Sequence, residues 1–137
     1  MTDEKKKEKL RAYLIAVDRL RIKCDDAARW ESMSFGPNGS VHAGGGKAQP
    51  DEIKETAIQM RQDCEAKAYQ VRDLRKKMDA AFACMRTDRL RDILECKYID
   101  GMGDKALCEK KHYSDRHMRR LLTQALRELE ECSSFFS

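Results

Sequence analysis

Cysteines, histidines and a late cluster of arginines are the residues whose types and spacing could do chemistry in this chain. Six cysteines stand at positions 24, 64, 84, 96, 108 and 132, and no two form a C-x-x-C pair. Several occupy apolar helical positions, where a thiol behaves as a small hydrophobe. Reduced thiols without a disulfide framework are expected. Cys108 and His112 share a helix face at i and i+4, but the paired short-range ligands of a zinc site are missing, so no metal is expected. The histidines are His42, in a glycine-containing stretch, and His112 and His117, which flank a turn. No Ser/His/Asp arrangement is legible. Helical carboxylates come with basic residues three or four positions away, as on a solvated face. Neither an enzyme nor a cofactor is expected. Met60, Met78, Met85 and Met118 read as core filler rather than a soft-metal box. Gly46-Lys47 invites a phosphate-loop reading, but Val41 stands where that loop needs glycine and Ala48 where it needs Ser or Thr.

What remains is electrostatic. Lys plus Arg is 28 against 24 Asp plus Glu, a net charge of +4 that says little by itself. Its distribution says more. Residues 51–85 balance to zero, whereas 105–127 carry Lys105, Lys110, Lys111, Arg116, Arg119, Arg120 and Arg127 against Glu109 and Asp115. Glu128, Glu130 and Glu131 follow at once. A local basic helix of this kind is an electrostatic footprint for phosphate.

Helices must position these groups. The chain has 137 residues, 38% of them charged and 7% aromatic, with seven glycines and two prolines. Such a composition points to an all-α fold. No apolar run approaches the length that spans a bilayer, and the N-terminal MTDEKKKEKL lacks a secretory apolar core. A cytoplasmic protein with no membrane partner is expected. Leu10, Tyr13, Val17, Leu20, Cys24 and Ala27 alternate spacings of three and four, the seam of one long helix over about 3–33, with Trp30 near its end. Residues 34–50 hold Gly36, Pro37, Gly39 and Gly44–Gly46 and read as a linker loop. Asp51 and Glu52 open a second long helix to about residue 85, with a seam of Ile53, Ala57, Met60, Cys64, Val71, Leu74, Met78, Ala81 and Met85. Two such seams either fold into a long antiparallel helical hairpin or dimerise. Residues 1–86 would supply dimerisation or partner contact, residues 87–132 a second domain, and 133–137 a tail.

In that second domain Thr87 is a candidate N-cap for a short helix bearing Leu90, Ile93 and Leu94, broken at Asp100–Gly103. Asp104 would cap the next helix, and His112-Tyr113-Ser114 would form a tight turn with Ser114 as N-cap. The last helix, about 115–131, buries Met118, Leu121, Leu122, Ala125, Leu126 and Leu129. This is the layout of a helix-turn-helix module, whose second helix enters the major groove of DNA. Arg116, Arg119, Arg120 and Thr123 then share the outward arc, with Asp115 and His117 at its N-terminal edge. Asp115, Arg116, His117, Arg119 and Arg120 are the candidates for base readout. Lys105, Lys110, Lys111, Ser114, Thr123 and Arg127 are the candidates for backbone contact.

The stretch from Arg91 to Glu131 resembles region 4 of bacterial sigma factors, through the Tyr98-Ile99-x-Gly101-Met102 turn, Tyr113-Ser114, and Arg119 through Ala125-Leu126-Arg127-x-Leu129. The whole layout resembles phage-encoded transcriptional regulators of the ArpU/RinA type. That resemblance implies a phage or prophage regulator, an activator of late genes, bound to promoter DNA. Three positions depart from the pattern: Asp104 where an aromatic is frequent, Cys108 where a small residue is usual, and Lys111 where an apolar one is common. A homodimer is expected, because one recognition helix alone binds weakly, and RNA polymerase is a further candidate partner. The alternatives are a small-terminase-like subunit that recognises phage DNA for packaging, and a helical adaptor that binds proteins rather than DNA.

Overall fold

The computed structural model describes residues 1–35 and 50–137. Among the described residues five α-helices follow one another: α1 (Asp3–Phe35), α2 (Pro50–Ala83), α3 (Asp88–Tyr98), α4 (Asp104–Lys111) and α5 (Asp115–Cys132). No strand occurs among the described residues, so the chain is all-α. The glycine-containing linker expected over 34–50, with His42 inside it, lies almost wholly outside the described residues. The short helices start within a residue of the sequence expectation. The two long ones extend to Phe35 and begin at Pro50.

Two compact units are present. The first combines Met1–Ile15 with Asp73–Ser137, and the second is Ala16–Arg72. The first thus takes in the start of α1 and the end of α2, where a sequence division at 86/87 would separate them from α3–α5. Apolar side chains are buried at those two ends. Leu10 and Tyr13 on α1, and Met78, Ala81 and Phe82 on α2, are buried in the unit that holds α3–α5.

Within the first unit, α5 supplies more of the core than any other helix. Met118, Leu121, Leu122, Ala125, Leu126 and Leu129 are all buried, as the 3.6-residue period requires. Leu90, Ile93, Leu94 and Tyr98 of α3 and Leu107 of α4 add to it. Gly101 ends α3 with φ +77, a left-handed conformation open to glycine. A Cβ there would also stand 3.7 Å from Leu14. The tail is docked: Phe136 is buried, and the Phe135 ring lies under the Lys9 ammonium. Lys6, a buried charged residue, pairs with Glu130 of α5 at 2.8 Å.

The second unit consists of the rest of α1 and α2. Arg61 Nε donates to Glu31 Oε2 at 3.0 Å, and Cys24 is bonded to Cys64, so rising numbers on one helix meet falling numbers on the other. The helices are therefore antiparallel there. Ala27, Ala57 and Cys64 are buried, Leu20 and Met60 half-buried, and Val17 is exposed instead of sealing the seam. The Cys24–Cys64 disulfide, with Cα atoms 5.6 Å apart, corrects the expectation of six reduced thiols. Both cysteines lie on apolar seams, and antiparallel packing sets those two positions opposite each other. Among the described residues no helix is long and apolar enough to cross a membrane.

Candidate nucleic-acid interface

Three residues turn the chain from α4 into α5. His112 adopts a left-handed conformation, φ 60 and ψ 42. The Tyr113 N–H donates to the Cys108 carbonyl at 3.0 Å, a six-to-one closure that stops α4. Ser114 is then extended, and its Oγ accepts from the His117 N–H at 3.1 Å. Ser114 is therefore the N-cap expected from sequence, and its hydroxyl is engaged by the helix it starts. The His117 ring lies edge-on to Tyr113 with centroids 4.8 Å apart, which seats it against the turn in a half-buried position.

Beyond that turn α5 has one apolar and one polar side. Arg116, Arg119, Arg120, Thr123 and Arg127 are all exposed. Among the described residues no carboxylate lies within ion-pairing distance of Arg116, Arg119 or Arg120. Two basic groups on the preceding helices differ. Lys97 pairs with Asp104 at 2.7 Å, and Lys111 is held by Asp92 of α3. That bond raises the Lys111 pKa above the ordinary ammonium value. Asp104 and Lys111 thus each fasten α4 to α3. Cys108 is buried, and its Sγ lies 3.5 Å from Asp115 Oδ1 as donor. Burial first, and then Asp115, push that thiol's pKa up. Lys111 therefore joins α4 to α3 rather than standing among the free cations.

Seven of the expected site residues fall into three places. Lys105, Asp115 and Arg119 line one open groove between α4 and α5, together with Tyr113. Arg116, Arg120 and Thr123 lie on the outward arc of α5, where the Thr123 hydroxyl donates to the Arg119 carbonyl at 3.1 Å. Arg127 borders a separate concavity with Arg86 and Thr87, two turns further along α5. Lys110 is exposed, with its Nζ 3.9 Å from Cys96 Sγ.

Sequence reasoning missed the carboxylate that organises this second concavity. Glu128 Oε1 accepts from the backbone N–H of Thr87 at 2.9 Å and of Arg86 at 2.6 Å. These bonds hold the Glu128 pKa below the ordinary carboxylate value. Thr87 sits at the start of α3 as expected but makes no side-chain cap bond. Its partner lies 41 residues away, and no local spacing signals it. Among the described residues no three His, Cys, Asp or Glu side chains are grouped to hold a metal ion.

Helices α3, α4 and α5, with the turn at 112–114, make a helix–turn–helix unit set on the ends of two long helices. The chain belongs to the DUF1492 family, described as a protein family of unknown function, whose model matches residues 36–130, more than half of the chain. No curated protein and no solved structure matches it.

Proposed function

We propose that this protein binds double-stranded DNA by laying the outward face of α5 in the major groove, and that it regulates transcription. The observation that carries the reading is the contrast among its cations. Lys97 and Lys111 are paired with acids of their own domain, whereas Arg116, Arg119 and Arg120 stand exposed with no carboxylate in pairing range among the described residues. Cations left unpaired directly after a capped turn are placed for phosphates and base edges. Arg119 and Asp115 border the groove toward α4, and Arg116 and Arg120 face outward, so base readout falls to these four with His117 at the edge. Lys105, Lys110 and Arg127 serve phosphate contact. The resemblance to sigma region 4 and to ArpU/RinA-type regulators narrows the target to promoter DNA of phage or prophage late genes, with RNA polymerase as a protein partner.

Genome-wide footprinting with the purified chain identifies the operator, and a gel-shift or anisotropy titration then measures it. Arg119→Glu with Arg120→Glu is expected to abolish specific binding, with circular dichroism unchanged. Unchanged sequence preference in that variant refutes the recognition-helix assignment. Lys110→Ala is expected to weaken all sequences alike and to lower the slope of log K against log salt by about one. No shift of any fragment at low salt would favour a protein-binding adaptor instead.

A further inference from the structure

We propose that the outward face of α1 between Asp18 and Arg29 docks a second copy of this chain, antiparallel, about a two-fold axis near residue 23. The order of charge along the helix is the reason. At about 100° per residue, Ile22 lies on the side of α1 opposite Cys24 and Ala27, on the middle line of that face. Its side chain is 49% exposed, with nothing among the described residues covering it fully. On one flank of that line stand Asp18, Arg21, Asp25 and Arg29, alternating negative and positive. On the other stand Arg19 and Asp26.

A row that reads negative, positive, negative, positive is the complement of itself reversed. Two copies run antiparallel therefore set Asp18 against Arg29 of the second copy and Arg21 against its Asp25. On the other flank Arg19 meets Asp26. The three pairings centre on the same point of α1 to within about one residue, a rise of about 1.5 Å. Ile22 then lies beside its own counterpart. A two-fold interface repeats each pairing, so the face carries every contact twice. Within one chain Asp18 already pairs with Arg21 at 2.7 Å, and Asp26 with Arg29. Association would knit these exposed pairs into networks, and networks contribute more than isolated surface pairs do. Charges so ordered choose the partner and its direction, while Ile22 supplies the apolar centre. The inference is independent of DNA as ligand, since assembly is read by mass.

The full chain is examined by native mass spectrometry and sedimentation. Wild type is expected to dimerise. Arg19→Glu with Arg29→Glu makes the face acidic at its pairing positions, and Asp18→Lys with Asp26→Lys makes it basic. Each variant alone is expected to weaken the dimer at least tenfold, with unchanged helicity. An equimolar mixture of the two is expected to restore a one-to-one complex, because every reversed charge again faces its opposite. A wild-type chain that stays monomeric at every concentration reached overturns the proposal. So does either variant dimerising like wild type, or a mixture that fails to associate.

Discussion

Glu128 shows how one carboxylate can tie together distant parts of a small domain. It sits on α5, yet its Oε1 accepts from the backbone N–H groups of Arg86 and Thr87, the residues that lead into α3. Those two donors lie between helices, where no ladder supplies an acceptor, so their loss would leave them to water. Glu128→Ala is expected to cost about 1–2 kcal/mol in denaturant unfolding, whereas Glu128→Gln, which keeps a carbonyl acceptor, costs less. The pH dependence has a definite sign. The folded-state pKa is held below 4.5, so the stabilisation is present at neutral pH and disappears as pH falls through that lowered value. Thermal melts from pH 7 to pH 2 should therefore show the gap between wild type and Glu128→Ala closing only in acid. A gap that stays constant to pH 2 would mean that the charge on Glu128 contributes nothing.

Among the elements, α5 was the most legible in the sequence and its neighbours the least. Its six apolar residues keep the helical period without interruption, and every one of them is buried. Ser114 and the turn before it follow from local chemistry: a short hydroxyl side chain is the favoured acceptor for the first free N–H groups of a helix. What the sequence concealed is long-range. The ion pair of Lys111 with Asp92, the bonds from Glu128 and the Cys24–Cys64 link join residues 19 to 42 positions apart. No periodicity encodes such pairings, because periodicity fixes which face a residue occupies and not what will meet it there. The same limit bears on the compact units: periodicity marks Leu10, Tyr13, Met78 and Ala81 as one face of their helices, and not that they lie in the unit that holds α3–α5. At this scale Ser114→Ala tests the cap. It removes the acceptor for the His117 N–H and is expected to cost about 1 kcal/mol, seen as a lower denaturant midpoint at unchanged slope. Because Arg116 lies in the turn that frays, specific DNA affinity should fall in the same variant while non-specific binding holds. Equal loss of both would place Arg116 outside the readout.

For the molecule as a whole, charge and cross-linking are divided between the two units. The exposed arginines of α5 belong to the unit formed by Met1–Ile15 and Asp73–Ser137, while the disulfide lies in Ala16–Arg72. A thin two-helix unit has little apolar surface to bury, and Ala27, Ala57 and Cys64 are small contributors to its core. Its cohesion must then draw on something else. Tying residues 40 apart removes loop entropy from the unfolded chain, an effect of about 4 kcal/mol in the chain-entropy description. Reductant is therefore expected to lower the melting temperature, and Cys64→Ser should lower it similarly without further change on reduction. Thiol counting provides the direct check. Unfolded without reductant, the chain should expose four titratable thiols, those of Cys84, Cys96, Cys108 and Cys132; with reductant it should expose all six. Six thiols in unreduced protein would mean that Cys24 and Cys64 are packed as neighbours but not bonded. The stability of the hairpin would then rest on the Arg61–Glu31 pair and its few buried side chains alone.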